Sequence, residues 1–145
     1  MLLLMSLLLL LGGSVQNRPA KPEGEHDKVR VRCSEESKKR FGVEAVRIGG
    51  DIEPPDRNLA GAVNFPELPR GTTVSPGVWI GEILIAPDGA VVDTWAVREF
   101  QLNPPFPAFN QAIHTTLRKW KYEPVIVEGE RMPVCMTVTV SVNWG

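Results

Sequence analysis

Alternating apolar and polar residues predict a β-hairpin in the middle of the chain. Residues 78–86 (VWIGEILIA) and 91–98 (VVDTWAVR) are rich in β-branched and aromatic side chains, which favour strands. Between them stands Pro87-Asp88-Gly89, in which glycine supplies the positive φ that a tight turn requires. The two runs are therefore expected to pair as neighbouring strands.

A helix and a further strand are predicted after the hairpin. Over residues 108–121, spacings of three and four place on one helix face Phe109, Ala112, Ile113, Thr116, Leu117 and Trp120. Pro124 ends this pattern. Residues 134–142 then alternate strictly, with Val134, Met136, Val138, Val140 and Val142 on one side and Cys135, Thr137, Thr139 and Ser141 on the other. Such a strand has one buried face and one open or partner-facing face.

These elements predict an α+β fold in which a small antiparallel three-stranded sheet, ordered hairpin, helix, strand, packs on one or two helices. The domain is expected to span residues 74–144. Its predicted structural core consists of large apolar side chains from the hairpin, the helix and the residues just after it: Trp79, Ile83, Ile85, Phe109, Leu117, Trp120 and Tyr122.

The segment before this domain, residues 29–73, gives weaker signals. Alternation over residues 29–33 favours a short strand, Ser34 is a candidate cap for a short helix reaching Arg40, and residues 46–52 read as extended. After residue 52, prolines interrupt any longer repeat of apolar and polar positions. We expect an irregular approach segment with short strands and a helix.

The first 28 residues predict export rather than a folded domain. Residues 1–11 contain ten apolar residues and Ser6, which suits a secretory signal cleaved after Ser14 or, alternatively, a short membrane anchor. Residues 15–28 (VQNRPAKPEGEHDK) have little to bury and predict a flexible tether. Both alternatives place the remainder outside the cytoplasm.

Charge and cysteine content narrow the function classes. With 16 basic and 17 acidic side chains the net charge is −1, so no overall field attracts nucleic acid. Outside the cytoplasm Cys33 and Cys135 form either one disulfide or two buried thiols, and the sequence leaves both open.

The candidates for catalysis are sparse. His26 lies in the predicted tether, and His114 falls on the helix side opposite Trp120, where we expect a surface histidine. Cys135 lies in mid-strand without a base and an orienting group beside it, and no cysteines and histidines have zinc-ligand spacing. We therefore expect no enzyme activity, no metal site, no cofactor and no small-molecule substrate.

The order and spacing of these motifs resemble the C-terminal domain of TonB-type energy transducers. The matching positions are Gly77, Ile85, Pro87-Asp88-Gly89-Ala90-Val91, Pro107, Phe109, Asn110, Ala112, Arg118, Trp120-Lys121-Tyr122, Pro124, Gly129, Pro133-Val134 and Thr137-Val138-Thr139-Val140. Residues 47–55 (RIGGDIEPP) and Phe65-Pro66 are similar to the approach segment before that domain. Asn110 stands where the family often has aspartate, and the apolar run and tether are too short for a complete transducer.

The resemblance implies a non-catalytic periplasmic module that contacts an outer-membrane or envelope protein by β-strand addition in TonB-type transport. The expected contact strand consists of Val134, Cys135, Met136, Thr137, Val138, Thr139, Val140, Ser141 and Val142, because no charge, proline or glycine interrupts it. Two alternatives remain. The exposed edge pairs two copies as an envelope structural or adaptor homodimer, or residues 29–33 or 46–52 already cover it.

Overall fold

The computed structural model describes residues 24–142. Its elements, in chain order, are α1 (Glu25–Phe41), β1 (Val46–Arg47), β2 (Arg57–Leu59), β3 (Thr73–Val74), β4 (Trp79–Ile85), β5 (Val91–Arg98), β6 (Leu102–Asn103), α2 (Pro107–Leu117), β7 (Lys121–Tyr122), β8 (Val125–Val127), β9 (Glu130–Met132) and β10 (Val134–Val140). The predicted signal or anchor, and residues 15–23 of the predicted tether, lie outside the described residues. No helix within residues 24–142 has the length and apolar character to cross a bilayer.

The central sheet has four strands in the order β1-β10-β4-β5. The predicted hairpin is β4 and β5, and the predicted third strand, β10, pairs antiparallel with β4. The three-stranded prediction was wrong, because the short strand β1 adds a fourth, parallel position beside the start of β10. The coarser prediction of a mixed α+β fold is confirmed.

The two faces of the sheet carry different helices. Alternate residues of β4 point to opposite faces, so Ile83 and Ile85 join a core with α2 while Leu84 packs on the α1 side. All seven predicted core residues are buried in the cluster on the α2 side: Trp79, Ile83, Ile85, Phe109, Leu117, Trp120 and Tyr122. The smaller cluster under α1 contains Cys33, Ala45, Leu84 and Cys135.

Helix α1 replaces the strand that we predicted for residues 29–33. Val29, Cys33 and Ser37 are the buried residues of this helix, and their spacing of four gives a single narrow stripe toward the sheet. A five-residue alternation was too short to reveal this longer period. Ser34 lies inside the helix instead of capping it, and Gly42, with φ 74°, ends it. Residues 25–28 of the predicted tether belong to the same helix.

Helix α2 is shorter than predicted and ends at Leu117. The chain then turns, with the Trp120 N–H donating to the Leu117 carbonyl, so that Trp120 reaches the core from a turn and not from the helix. Next, the Tyr122 N–H donates to the Gly89 carbonyl in the hairpin turn. A Cβ on Gly89 would lie 1.9 Å from the Tyr122 carbonyl oxygen, so only glycine allows this contact.

Three small ladders organise the remaining segments. β2 pairs with β7, β3 with β6, and β8 with β9. Through the first of these, the irregular segment that follows β1 is held beside the end of α2. This placement brings residues 54–65 near the outer edge of β10.

Candidate functional site

The outer edge of β10 is covered along only part of its length. β1 pairs with Val134 and Cys135, and the Val46 N–H donates to the Pro133 carbonyl at 2.9 Å. No strand of residues 24–142 pairs with the outer edge from Met136 onward. The expectation that residues 46–52 cover the edge is therefore correct for two positions of β10, and residues 29–33 do not cover it because they are helical.

The pairing register identifies the backbone groups that face this open edge. The N–H and C=O of successive strand residues alternate in direction, and Pro133 points toward β1. Thr137 and Thr139 therefore direct both backbone groups away from β4. The hairpin supports the same assignment. The Ala86 N–H donates to the Ala90 carbonyl on the β5 side, so the backbone groups of Ile85 point to the other side, toward β10, where Ile85 pairs with Val134. Within residues 24–142, Thr137 and Thr139 thus carry unpaired backbone donors and acceptors along this edge.

A groove runs along these two residues, and we call it the edge groove. Residues 136–142 form one side, and residues 54–65 with Trp120 form the other. Three pockets of about 420, 370 and 400 Å³ follow one another along β10. The first is lined by Arg30, Arg47, Ile48, Pro54, Cys135, Met136 and Thr137, and the last by Gly61, Ala62, Val63, Phe65, Trp120, Thr139, Val140, Ser141 and Val142. The groove changes from basic to apolar along its length.

Trp120 fixes the far wall of the edge groove. Its indole Nε1 donates to the Gly61 carbonyl at 2.9 Å, and the Arg57 guanidinium lies 4.4 Å from the ring centroid. Nearby, the Glu123 N–H donates to the Asp56 carbonyl. Tyr122 lies below in the core, where burial raises the pKa of its phenol against the opposing charge of Arg57. The contacts of Trp120 and Glu123 thus attach residues 56–61, which belong to the far wall, to the segment after α2.

A buried carboxylate, which the sequence analysis missed, lies at the basic end of the groove. Glu82 on β4 is 0% exposed, and the Arg47 guanidinium donates to its Oε1. The Thr137 hydroxyl donates to Glu82 Oε2 at 2.9 Å, and His26 Nε2 lies 3.7 Å from the same oxygen. A second Arg47 nitrogen donates to the Arg30 carbonyl at 3.0 Å. The cluster therefore connects four elements, α1, β1, β4 and β10, at this end of the groove.

A disulfide joins Cys33 of α1 to Cys135 of β10 across 102 positions of sequence. Both residues are buried, so the bridge lies under the helix rather than on the surface. Cys135 has no free thiol, and its side chain lies on the sheet face opposite α2. His114 belongs to α2, so Cys135 and His114 lie on different faces of the sheet. Among residues 24–142 one group of three residues of metal-ligand type lies close together: Cys33, Glu82 and Cys135. Because the two sulfurs are bonded to each other, only the Glu82 carboxylate of this group could act as a metal ligand.

His114 is half-buried, so the expectation of a surface histidine was wrong. Its Nδ1 lies 2.6 Å from the Thr94 hydroxyl oxygen, and its ring packs edge-on against Trp79 at 5.4 Å. Burial is the main cause that lowers the pKa of His114, and the positive charge of Arg118 adds to it. The apolar period of α2 places His114 on the side away from Trp120, but it does not show that strand β5 covers that side of the helix.

The predicted contact strand divides into usable and covered positions. Val134 and Cys135 are buried and paired with β1, and Val140 is buried toward the core, so their side chains cannot meet a partner as we expected. Thr137, Thr139 and Ser141 are exposed, whereas the side chains of Met136, Val138 and Val142 are half-buried. The candidate site is thus shorter than predicted and starts at residue 136.

Comparison with known proteins adds no assignment: the chain matches no family model, no curated protein and no solved structure.

Proposed function

We propose that this protein is a non-catalytic binding module of the bacterial periplasm or cell envelope that captures an extended peptide segment by β-strand addition to β10. The observation that carries the proposal is the outward-facing backbone of Thr137 and Thr139 inside the edge groove. Main-chain pairing would provide affinity, and the three pockets would select side chains.

The TonB resemblance supports an outer-membrane or envelope protein as the source of the peptide, in TonB-type transport. The buried disulfide supports residence in an oxidising compartment, where such bonds persist. The apolar run at residues 1–11 supports export by a cleaved signal or retention by a short anchor. These three observations are independent of one another.

Replacing Thr139 with proline tests the proposal directly. Its N–H faces away from β4, so proline removes a donor from the open edge without removing one from the sheet. We expect Thr139→Pro to stay folded by circular dichroism and to lose binding. Thr139→Val is the matched control, which changes the side chain and keeps the donor. Val138→Pro should instead unfold the protein, since the Val138 N–H points toward β4.

The binding probe is a pool of acetylated random hexapeptides captured on the immobilised protein. Captured sequences are then titrated against labelled protein while amide NMR signals are recorded. Shifts clustered on residues 136–142 that disappear in Thr139→Pro support peptide capture. Shifts confined to residues 78–98 would reject it, because that hairpin lies away from the groove.

Self-pairing of the same edge is the competing function. Size-exclusion chromatography of the free protein over a range of concentrations separates the two. A monomer that binds peptides supports capture, whereas an obligate dimer whose contacts map to Thr137 and Thr139 assigns the edge to a second copy.

A further inference from the structure

The edge groove is closed at one end. β1 runs parallel to β10 and occupies the positions beside Val134 and Cys135, so an added strand can begin pairing only at Thr137. From Thr137 to Ser141 the strand advances about 13 Å, which accommodates about five residues of a paired peptide. A peptide that continued past Thr137 would meet β1. The closed end is therefore suited to the terminus of a chain.

The charge at the closed end favours one terminus over the other. Among the described residues, those that line its pocket include Arg30 and Arg47 and no acidic side chain. Arg47 is neutralised by Glu82, whereas the Arg30 guanidinium has no carboxylate within 4.0 Å among residues 24–142. A carboxylate would find a free cation here, and an ammonium group would be repelled.

We propose that the edge groove takes the C-terminal end of a partner polypeptide, which runs antiparallel to β10 and places its free carboxylate at Arg30. This inference rests on the proposed function and specifies its ligand. In the antiparallel direction the peptide's last residue lies opposite Thr137, and earlier residues lie toward Ser141. The parallel direction would bring a free N-terminus against Arg30, where it would be repelled.

The open end adds a side-chain preference. There the groove is lined by Val63, Phe65, Trp120 and Val142, and no residue of 24–142 in this lining carries a charge. Paired residues on neighbouring strands point to the same face, and Val140 points to the face on which this apolar pocket lies, whereas Ser141 points to the opposite face. A peptide residue opposite Val140 stands three positions before the residue opposite Thr137. We therefore expect an apolar side chain three positions before the C-terminal residue.

Three synthetic forms of the hexapeptide pool test the chemistry of the terminus: free acid, C-terminal amide, and amide with aspartate as the last residue. We expect enrichment on the protein from the acid pool, and sequences resynthesised in all three forms should bind about tenfold tighter as acids. Arg30→Ala should remove this difference while leaving residual binding of the amide. Arg32→Ala, an exposed arginine of the same helix outside the pocket, should leave it unchanged.

Peptide direction is read from a nitroxide attached to the N-terminus of an enriched acid peptide. The antiparallel arrangement predicts broadening of amide signals at Ser141 and Val142. Broadening at Thr137 instead would overturn it.

The outcomes separate this inference from the proposed function. Equal binding of acid and amide at residues 136–142 would overturn the terminal carboxylate and leave strand addition standing. Equal binding of the acid and the aspartate amide would assign the carboxylate to a side chain and also overturn it. Peptides that bind elsewhere, or in no form, would reject both.

Discussion

Arg47 and Glu82 form an ion pair across the sheet, from the two-residue strand β1 to the strand two places away. Glu82 is completely buried, and the side chain of Arg47 is 34% exposed. The pair therefore secures β1, which in turn defines where the edge groove begins.

Removing Arg47 should destabilise the protein because it leaves a buried carboxylate without its cation. We expect Arg47→Met to lower the free energy of unfolding by about 3 kcal/mol, at the low end for such pairs since Arg47 is partly exposed. The double variant Arg47→Met with Glu82→Met should recover most of this loss in urea melts. Lys38→Met, which breaks an exposed contact with Glu44, should cost under about 0.5 kcal/mol. A double variant as unstable as the single one would contradict the pairing.

Breaking the disulfide should destabilise the fold, because it closes a loop of about 100 residues. The chain-entropy model gives about 4.7 kcal/mol for such a loop, and measured values are often lower. We expect Cys33→Ser with Cys135→Ser to lower the denaturant midpoint strongly and to leave the protein insensitive to reductant. Mass spectrometry without reductant checks the bond itself: two alkylatable thiols in exported protein would refute it.

Trp120→Ala should cost about 3 to 5 kcal/mol, because a large buried aromatic ring is lost from the core. Trp120→Phe keeps most of the apolar contact and removes only the Nε1 donor to Gly61, so it should cost about 1 kcal/mol for the bond. Denaturant melts measure both. A loss below about 1 kcal/mol for Trp120→Ala would show that the ring does not bear on the core.

His114 should titrate below the ordinary histidine value of 6.5, because burial disfavours its charged form. The unfolded chain then binds more protons than the folded one, so the stability contributed by a neutral His114 is present above pH 6.5 and falls as the pH drops below it. NMR titration of the ring measures the pKa directly. His114→Gln should show a weaker loss of stability between pH 7 and 5 than the parent protein.

Export should remove the first 14 residues and leave Val15 at the mature N-terminus. N-terminal sequencing of protein from the periplasmic fraction tests this expectation. Intact Met1 in a membrane fraction would support the short anchor instead.

The strands around the turn and the final strand were predictable from sequence, because their signals are local. Asp88 and Gly89 define a hairpin turn whatever surrounds them, and the alternation over residues 134–142 describes one extended segment. The core side chains followed from these periods, which is why all seven were named correctly. The predicted end of α2 was wrong, because the apolar period continues to Trp120 although the helix ends at Leu117.

The site depended on contacts between residues far apart in sequence. Residues 29–33 alternate like a strand, but packing Val29 and Cys33 on the sheet made them helical. The partner of Glu82 lies 35 positions away, and Cys33 meets Cys135 across 102 positions. No local sequence signal around these residues predicts contacts over such distances along the chain.

The amino-acid sequence by itself determined that β10 is a regular strand free of charge, proline and glycine. Only the tertiary structure decided how much of its edge is open. Two residues of β1 cover Val134 and Cys135, and the chain then leaves the sheet, so no other strand in the described part of the chain pairs with the backbone of Thr137 and Thr139. Strand pairing depends on two segments. The sequence of one strand therefore shows that it can pair, but it does not show which other segment will lie beside it.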